Sequence, residues 1–242
     1  MKEDLIDLNH FLEKTEDLNN VSALRLYVIS TPIGNLDDIS FRALNILQRV
    51  NFILAEDSRV SGILLKKYNI RTKVISYFSR SENQKLDLII SKLLNGESAA
   101  LISDAGTPCI SDPGSILVNE CIKNSICVIA VPGASSITNS LILSGYNIDK
   151  FYFHGFLPVK KGRNKTFGEL KNIKMPIVIF ESKYRIKETL KDCLTVFGNK
   201  EISIFRELTK KFEEAISGRL KDVLTKGKFI NKGEFTLVIN NK

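Results

Sequence analysis

Cysteine and histidine are scarce in this chain, and their scarcity closes off two classes of site. Four cysteines, Cys109, Cys121, Cys127 and Cys193, show no Cys-x-x-Cys spacing, and His10 and His154 are the only histidines among 242 residues. The set predicts no metal site and no disulfide framework, and the thiols read as reduced core residues. Long apolar runs are missing as well: no stretch approaches the ~18 residues of a membrane helix. The first twenty residues, MKEDLIDLNHFLEKTEDLNN, are acidic and unlike a secretory leader, so a cytoplasmic location without a membrane partner is expected. Positive charge is absent where a phosphate site would need it. No Lys or Arg occurs from Leu26 to Phe41, from Leu93 to Ile122 or from Asn124 to Asp149.

What is present is an ordinary globular composition, 43% hydrophobic with a net charge of +8, long enough for one large or two small domains. The charge is divided unevenly. Residues 1 to 149 carry 14 Lys and Arg against 17 Asp and Glu, net −3, whereas residues 150 to 242 carry 21 against 10, net +11. A basic second half predicts a polyanionic partner, most simply nucleic acid.

From residue 24 onward short β-branched runs alternate with amphipathic helical segments. LRLYVIS, NFILAED, KVISYFS, SAALIS and ICVIAVPG are strand-like and are separated by helical stretches near 39 to 49, 58 to 68 and 82 to 95. That rhythm predicts an α/β domain with a parallel sheet covered on both faces. Ser81 reads as a helix N-cap, and Gly96 and Gly198 as C-terminal caps. At GYNIDK (145 to 150) the rhythm breaks and the charge changes sign. The domain boundary is placed there, giving an acidic extension over 1 to 22, an α/β cofactor-binding domain over 23 to 148, and a basic α/β domain over 149 to 242 with a mixed sheet. In the extension, Leu5, Leu8, Phe11 and Leu12 have helical spacing.

In an open α/β sheet, ligands bind at the carboxyl ends of the strands. Three loops in such positions are rich in Gly, Pro and Ser: TPIGNLDDIS (31 to 40), SDAGTPCISDPG (103 to 114) and VPGASSIT (131 to 138). There is no GxxxxGK[ST], and a single glycine, Gly34, stands where a dinucleotide fingerprint needs GxGxxG. A neutral or cationic ligand that can donate hydrogen bonds suits Asp104, Asp112 and backbone carbonyls better than a phosphate does. S-adenosylmethionine, a sulfonium bearing an ammonium group and an adenosine, is such a ligand. Asp104 and Asp112 also have a simpler role open to them, since Asp in a Gly/Pro turn often bonds its own backbone.

TPIGNL (31 to 36), AEDSR (55 to 59), SDAGTPCISDPG, VPGASS (131 to 136), GFLP (155 to 158), FES (180 to 182) and RELTK (206 to 210), in this order, closely resemble the ribosomal RNA small subunit methyltransferase I family of the tetrapyrrole methylase superfamily. The resemblance spans about residues 24 to 240. It implies two α/β domains with S-adenosylmethionine in the cleft between them, a homodimer, and 2′-O-methylation of a cytidine in the decoding region of small-subunit (16S) rRNA. Cofactor contacts are implied for Pro32, Gly34, Asp104, Ala105, Gly106, Thr107, Ser135, Ser136, Leu157, Pro158, Phe180 and Glu181.

Such a reaction is an in-line displacement of an activated methyl by the ribose oxygen, so positioning dominates and one proton must be removed. Candidates to take or stabilise that proton are Glu56, Asp57, Glu207 and Lys210. Arg59, Lys160, Lys161, Arg163, Arg206 and Lys210 are the candidate RNA contacts. Two departures from the family pattern stand out. Arg80-Ser81-Glu82 replaces a His-Asn-Glu-like element, and Ala134 sits in PGASS where PGPSA is more usual. Two alternatives stay open: a methyltransferase acting on small tetrapyrroles, and a non-catalytic RNA-binding assembly protein.

Overall fold

Strand β1 (Arg25–Ile29) is buried at all five positions, as a central strand of a parallel sheet must be. Around it the computed structural model describes residues 24 to 78, 82 to 226 and 232 to 242. The acidic extension, the Ser81 cap and Arg80 lie outside the described residues.

The first sheet also contains β2 (Phe52–Ala55), β3 (Lys73–Ser76), β4 (Ala99–Ile102) and β5 (Cys127–Val131), in the order β3-β2-β4-β1-β5. Every pairing is parallel. Alternate side chains divide between two cores, as the period of two demands. Tyr27, Ile29, Ile53, Ala55, Ala100 and Ile102 face α1 (Phe41–Arg49) and α2 (Ser58–Lys67). Leu26, Val28, Phe52, Leu54, Ala99 and Leu101 face α3 (Glu82–Leu94) and α4 (Ser115–Lys123). Gly96, with φ +91, lies just beyond α3, as its cap reading expects.

The second sheet has the order β6-β7-β10-β8-β9 and is mixed. Strands β6 (Tyr152–Phe156) and β7 (Ile177–Ser182) are parallel. Strands β8 (Glu201–Arg206), β9 (Glu214–Arg219) and β10 (Glu234–Ile239) are joined antiparallel, and β10 pairs antiparallel with β7. One face is covered by α6 (Arg163–Lys171), α7 (Ile186–Phe197) and α8 (Leu220–Lys226). Gly198 ends α7 with φ +74. Nothing in the sequence pattern announces β9, whose inward positions hold only one large apolar residue, Ile216.

Contacts divide the chain differently from the expected boundary. One unit takes the described residues up to Pro32 with Leu36–Ala134; the other takes Ile33–Asn35 with Ser135–Lys242. The expected break at 148/149 is therefore displaced to 134/135. The reason is helix α5 (Ser136–Ser144), which packs on β10, and Tyr146, whose hydroxyl lies 3.1 Å from Ser203 Oγ. The −3 to +11 change of charge marks a change of surface, whereas the packing unit is set by apolar contacts.

The loop after β4 is held from below by a buried carboxylate. Glu82, 7% exposed at the start of α3, accepts the Gly114 N–H at 2.8 Å. Gly114 adopts φ +127, and a Cβ there would lie 2.5 Å from Leu101 Cδ2, so only glycine fits without displacement. Glu82, the one member of the Arg80-Ser81-Glu82 departure among the described residues, thus has a structural task. Glu82→Ala leaves a buried donor unsatisfied and is expected to lower the unfolding free energy by about 1–3 kcal/mol, with Glu82→Gln costing less; urea denaturation of the two variants checks the order.

Candidate functional site

The sheet order puts β1 and β4 side by side while their connections leave in opposite directions, β1 toward β2 and β4 toward β5. This is the switch point at which open α/β sheets bind ligands. The loops leaving it are bonded reciprocally: Thr31 N–H to Gly106 O at 2.8 Å and Gly106 N–H to Thr31 O at 3.1 Å. Gly106 adopts φ +84 to make the turn. Ser30 and Thr107 hydroxyls meet at 2.8 Å, and Thr31 Oγ1 donates to the Ser103 carbonyl at 3.1 Å.

Beside this crossing lies an open pocket of about 260 Å³, lined by Val28, Ser30, Thr107, Ala130, Val131, Pro132 and Gly133. A Cβ on Gly133 would come within 2.9 Å of the Ser30 carbonyl, so the third loop can pack this tightly only with glycine. No charged side chain lines the pocket. Its polar atoms are hydroxyls and main-chain groups, a donor set that fits a neutral or cationic adenosine-type ligand and supplies nothing to balance a phosphate. Its volume is just under the roughly 300 Å³ at which small-molecule sites begin, so it accommodates part of such a ligand. Among the sequence candidates, Thr107 lines this pocket and Gly106 shapes it. Val131, Pro132 and Gly133 belong to the VPGASSIT loop marked in the sequence, whereas Ser30 and Ala130 were not singled out, although the hydroxyl ending the LRLYVIS run was the available signal.

Asp104 holds a turn. Its Oδ1 accepts the Asp57 N–H at 3.0 Å and so ties the β4 loop to the end of β2. Ala105 is exposed at the tip of that loop. Asp57 caps α2, accepting from Arg59 N at 2.8 Å and pairing with its guanidinium at 2.6 Å. Those bonds hold the Asp57 carboxyl down at about 2. Its neighbour Glu56 shifts the opposite way: burial pushes its pKa up, and the nearby Asp104 charge adds to the effect. Burial also lifts the Cys109 and Cys121 thiols, to about 11 and about 12, so neither is a ready nucleophile.

In the second unit, Gly34 lies against the RELTK turn. A Cβ there would meet Lys210 Cγ at 2.4 Å, Thr209 Oγ1 at 2.6 Å and the Leu208 carbonyl at 2.8 Å, and Asn35 N–H donates to Thr209 Oγ1 at 3.0 Å. Glu207 and Thr209 both take positive φ, +53 and +64, a conformation unusual outside glycine. Glu207 accepts from Lys210 Nζ at 3.1 Å and from Glu234 N–H at 2.9 Å. Burial raises its pKa, but the Glu234 N–H and the Lys210 ammonium outweigh that and leave it lowered. Lys210, shared between Glu207 and Glu234, is raised against its own burial.

The GFLP turn rests on a buried polar network. Glu181, 1% exposed, accepts from Thr189 Oγ1 at 2.6 Å and Ser182 N–H at 2.6 Å and pairs with Arg185 at 2.9 Å. Arg185 also donates to the Leu157 carbonyl at 2.9 Å, and Arg163 to the Pro158 carbonyl at 3.1 Å. Phe180 meets Phe153 edge-on at 5.0 Å and Phe156 at 5.6 Å. Ser135 caps α5 without a side-chain bond, and Ser136 opens that helix.

Three of the expected site residues carry charges that are buried and paired. Arg163, 7% exposed, is paired with Asp192 at 2.8 Å and bonded to Thr189. Arg206, 8% exposed, is held by Glu214 at 2.8 Å. The Glu181 carboxylate is committed to its own unit. In each case a buried charge must be paired, and the pairing uses up its donors or acceptors. Arg59 is exposed, and Lys160 and Lys161 are exposed on the loop after β6. Among the described residues no three His, Cys, Asp or Glu gather as a metal site, and no helix is long and apolar enough to cross a membrane.

Residues 25–224 match the model of the tetrapyrrole (corrin/porphyrin) methylases. The chain is similar to ribosomal RNA small subunit methyltransferase I of Halalkalibacterium halodurans, 43% identical over 216 residues, 88% of this chain and 75% of that protein. It is similar to the protein of the same name from Thermotoga maritima at 41% identity over 221 residues, 90% of this chain and 99% of that one. In fold it resembles crystalline uroporphyrin-III C-methyltransferase from Thermus thermophilus complexed with S-adenosylhomocysteine, with a TM-score of 0.64 at 14% identity over 88% of this chain and 96% of that one.

Two outcomes are expected. Arg163→Ala is expected to lower stability by about 3 kcal/mol, the lower end for breaking a buried pair because Asp192 is partly exposed, while leaving the salt dependence of RNA binding unchanged; thermal unfolding and binding at several ionic strengths check both. Asp57 has a folded-state pKa below its unfolded value, so its contribution is complete above about pH 4 and is lost as the pH falls toward about 2. The stability difference between wild type and Asp57→Ala is therefore expected to shrink across that window in acid-titrated denaturation.

Proposed function

Because the chain belongs to the tetrapyrrole (corrin/porphyrin) methylase family and, within it, to the ribosomal RNA small subunit methyltransferases I, we propose that it methylates small-subunit rRNA with S-adenosylmethionine, at the ribose 2′-oxygen of a cytidine in the decoding region. The observation that carries the donor is the pocket at the β1/β4 switch point, built from hydroxyls and main chain with no charged lining. The acceptor is supported by relatives named for rRNA and by the +11 charge of residues 150 to 242. When bound, S-adenosylmethionine supplies a methyl group already activated on a sulfonium.

The chain's own residues are then left with positioning and one proton. The crossed loops at Thr31 and Gly106, with Ser30, Thr107 and Gly133, hold the nucleoside part of the donor. Of the four candidate acid–base residues, Glu56 is the one whose environment raises a carboxyl pKa toward the working range of a general base. Asp57, Glu207 and Lys210 are instead engaged in caps and ion pairs. Glu56 therefore accepts the proton of the 2′-hydroxyl. Arg59, Lys160 and Lys161 meet phosphates, and the active species is a homodimer, which sedimentation equilibrium checks.

Labelled methyl transfer from S-adenosylmethionine to unmethylated small subunits is expected to give a ribose-methylated cytidine; RNA binding without any product would establish the assembly-protein alternative instead. Glu56→Gln is expected to lower kcat by about a hundredfold or more while leaving donor affinity intact. Gly106→Val is expected to weaken donor binding in calorimetry far more than RNA binding, because its loop carries no cation for phosphate.

A further inference from the structure

Two large aromatic rings are left in solvent at one end of the second sheet. Tyr184, in the loop after β7, is 85% exposed, and Phe212, in the β8–β9 turn, is 66% exposed. Strand register places both loops at the same end: Ser182 pairs with Glu234, Phe235 with Arg206, and Arg206 with Glu214. β7 and β8 flank β10 there, so the loops rise from strands roughly 10 Å apart. The loop after β6, carrying Lys160 and Lys161, leaves the same end, because Phe156 is in register with Phe180.

Each ring has an ammonium over it. Lys183 Nζ is 4.9 Å from the Tyr184 centroid, and Lys211 Nζ is 5.7 Å from that of Phe212. Of the carboxylates of these loops, Glu207 is engaged by Lys210 and the Glu234 N–H, and Glu213 accepts the Thr209 N–H. Among the described residues Lys160, Lys161, Lys183 and Lys211 make no ion pair. The end of the sheet therefore presents rings interleaved with lysines that no carboxylate pairs among the described residues. A flat face beside a cation matches a nucleotide whose base is unstacked: the base covers the ring and the adjoining phosphate meets the ammonium. A duplex offers the phosphates but keeps its base faces stacked.

We propose that Tyr184 and Phe212 are stacking platforms for unpaired bases of the RNA, with Lys160, Lys161, Lys183 and Lys211 tracking its backbone, so that this rim selects single-stranded over duplex segments. The inference rests on RNA as the acceptor, and adds that the acceptor is presented unpaired. The probe is a fluorescent single-stranded RNA decamer and the same sequence closed in a hairpin stem, with affinity measured by anisotropy over a range of salt. Tyr184→Ala/Phe212→Ala is expected to weaken decamer binding roughly tenfold or more, to change stem binding little, and to keep the salt slope, since no charge is removed. Tyr184→Phe/Phe212→Tyr keeps both rings and is expected to restore affinity. Unchanged decamer affinity, an equal loss on the stem, or failure of the ring-preserving variant would overturn the proposal. Both positions are solvent-facing, and thermal unfolding of each variant confirms that the fold is kept. Wild-type protein that shows this selectivity but methylates no small subunit would refute the proposed reaction and leave the platforms standing.

Discussion

Two reciprocal main-chain hydrogen bonds between Thr31 and Gly106 fix the geometry of the first unit's site. They cross-link the exits of adjacent strands whose connections run to opposite faces of the sheet, and Gly106 turns with φ +84 to make them. Once the crossing is set, Ser30 meets Thr107, Gly133 closes on the Ser30 carbonyl, and the pocket acquires its walls. A site made this way is rigid without side-chain charge. The groups it offers have hydrogen-bonding directions fixed by the sheet.

Electrostatics does different work in the second unit. Arg163 and Arg185 reach the carbonyls of Pro158 and Leu157 from a buried network that also contains Thr189, Glu181 and Asp192. Buried ions of this kind are seldom a source of net stability, because desolvation offsets their attraction. What they provide is a turn held at several points. The lysines on the loops and their neighbouring rings are the opposite case, with charge left in water where a polyanion can reach it.

Adjacent carboxylates illustrate how environment divides roles. Glu56 and Asp57 follow one another at the end of β2, yet burial raises the first while Arg59 and the α2 amides lower the second. A pair of acids pushed apart in this way can keep one member ionised as a structural cap and leave the other able to exchange a proton. Asp104 contributes to both, as the acceptor of the Asp57 N–H and as the charge beside Glu56.

Much of this was legible in the sequence. Alternation of β-branched and amphipathic segments is a local property, so the parallel sheet, the mixed sheet and the Gly- and Pro-rich loops at the strand ends could be read from residue spacing, and the absence of Lys and Arg from those loops already spoke against a phosphate site. Strand β9 was hidden because an edge strand needs only one apolar residue, Ile216, on its inward face. The packing boundary was misplaced because helix α5 belongs to whichever sheet covers its apolar side, which no neighbouring residue specifies. The same holds for charge. By itself the sequence determined the total, the asymmetry between the halves and the loops free of it; only the tertiary structure decided that Arg163 and Arg206 face carboxylates in the interior while Lys160 and Lys161 face solvent. The physical reason is that a charge acts through its surroundings, and burial and pairing are made by residues far away in the chain.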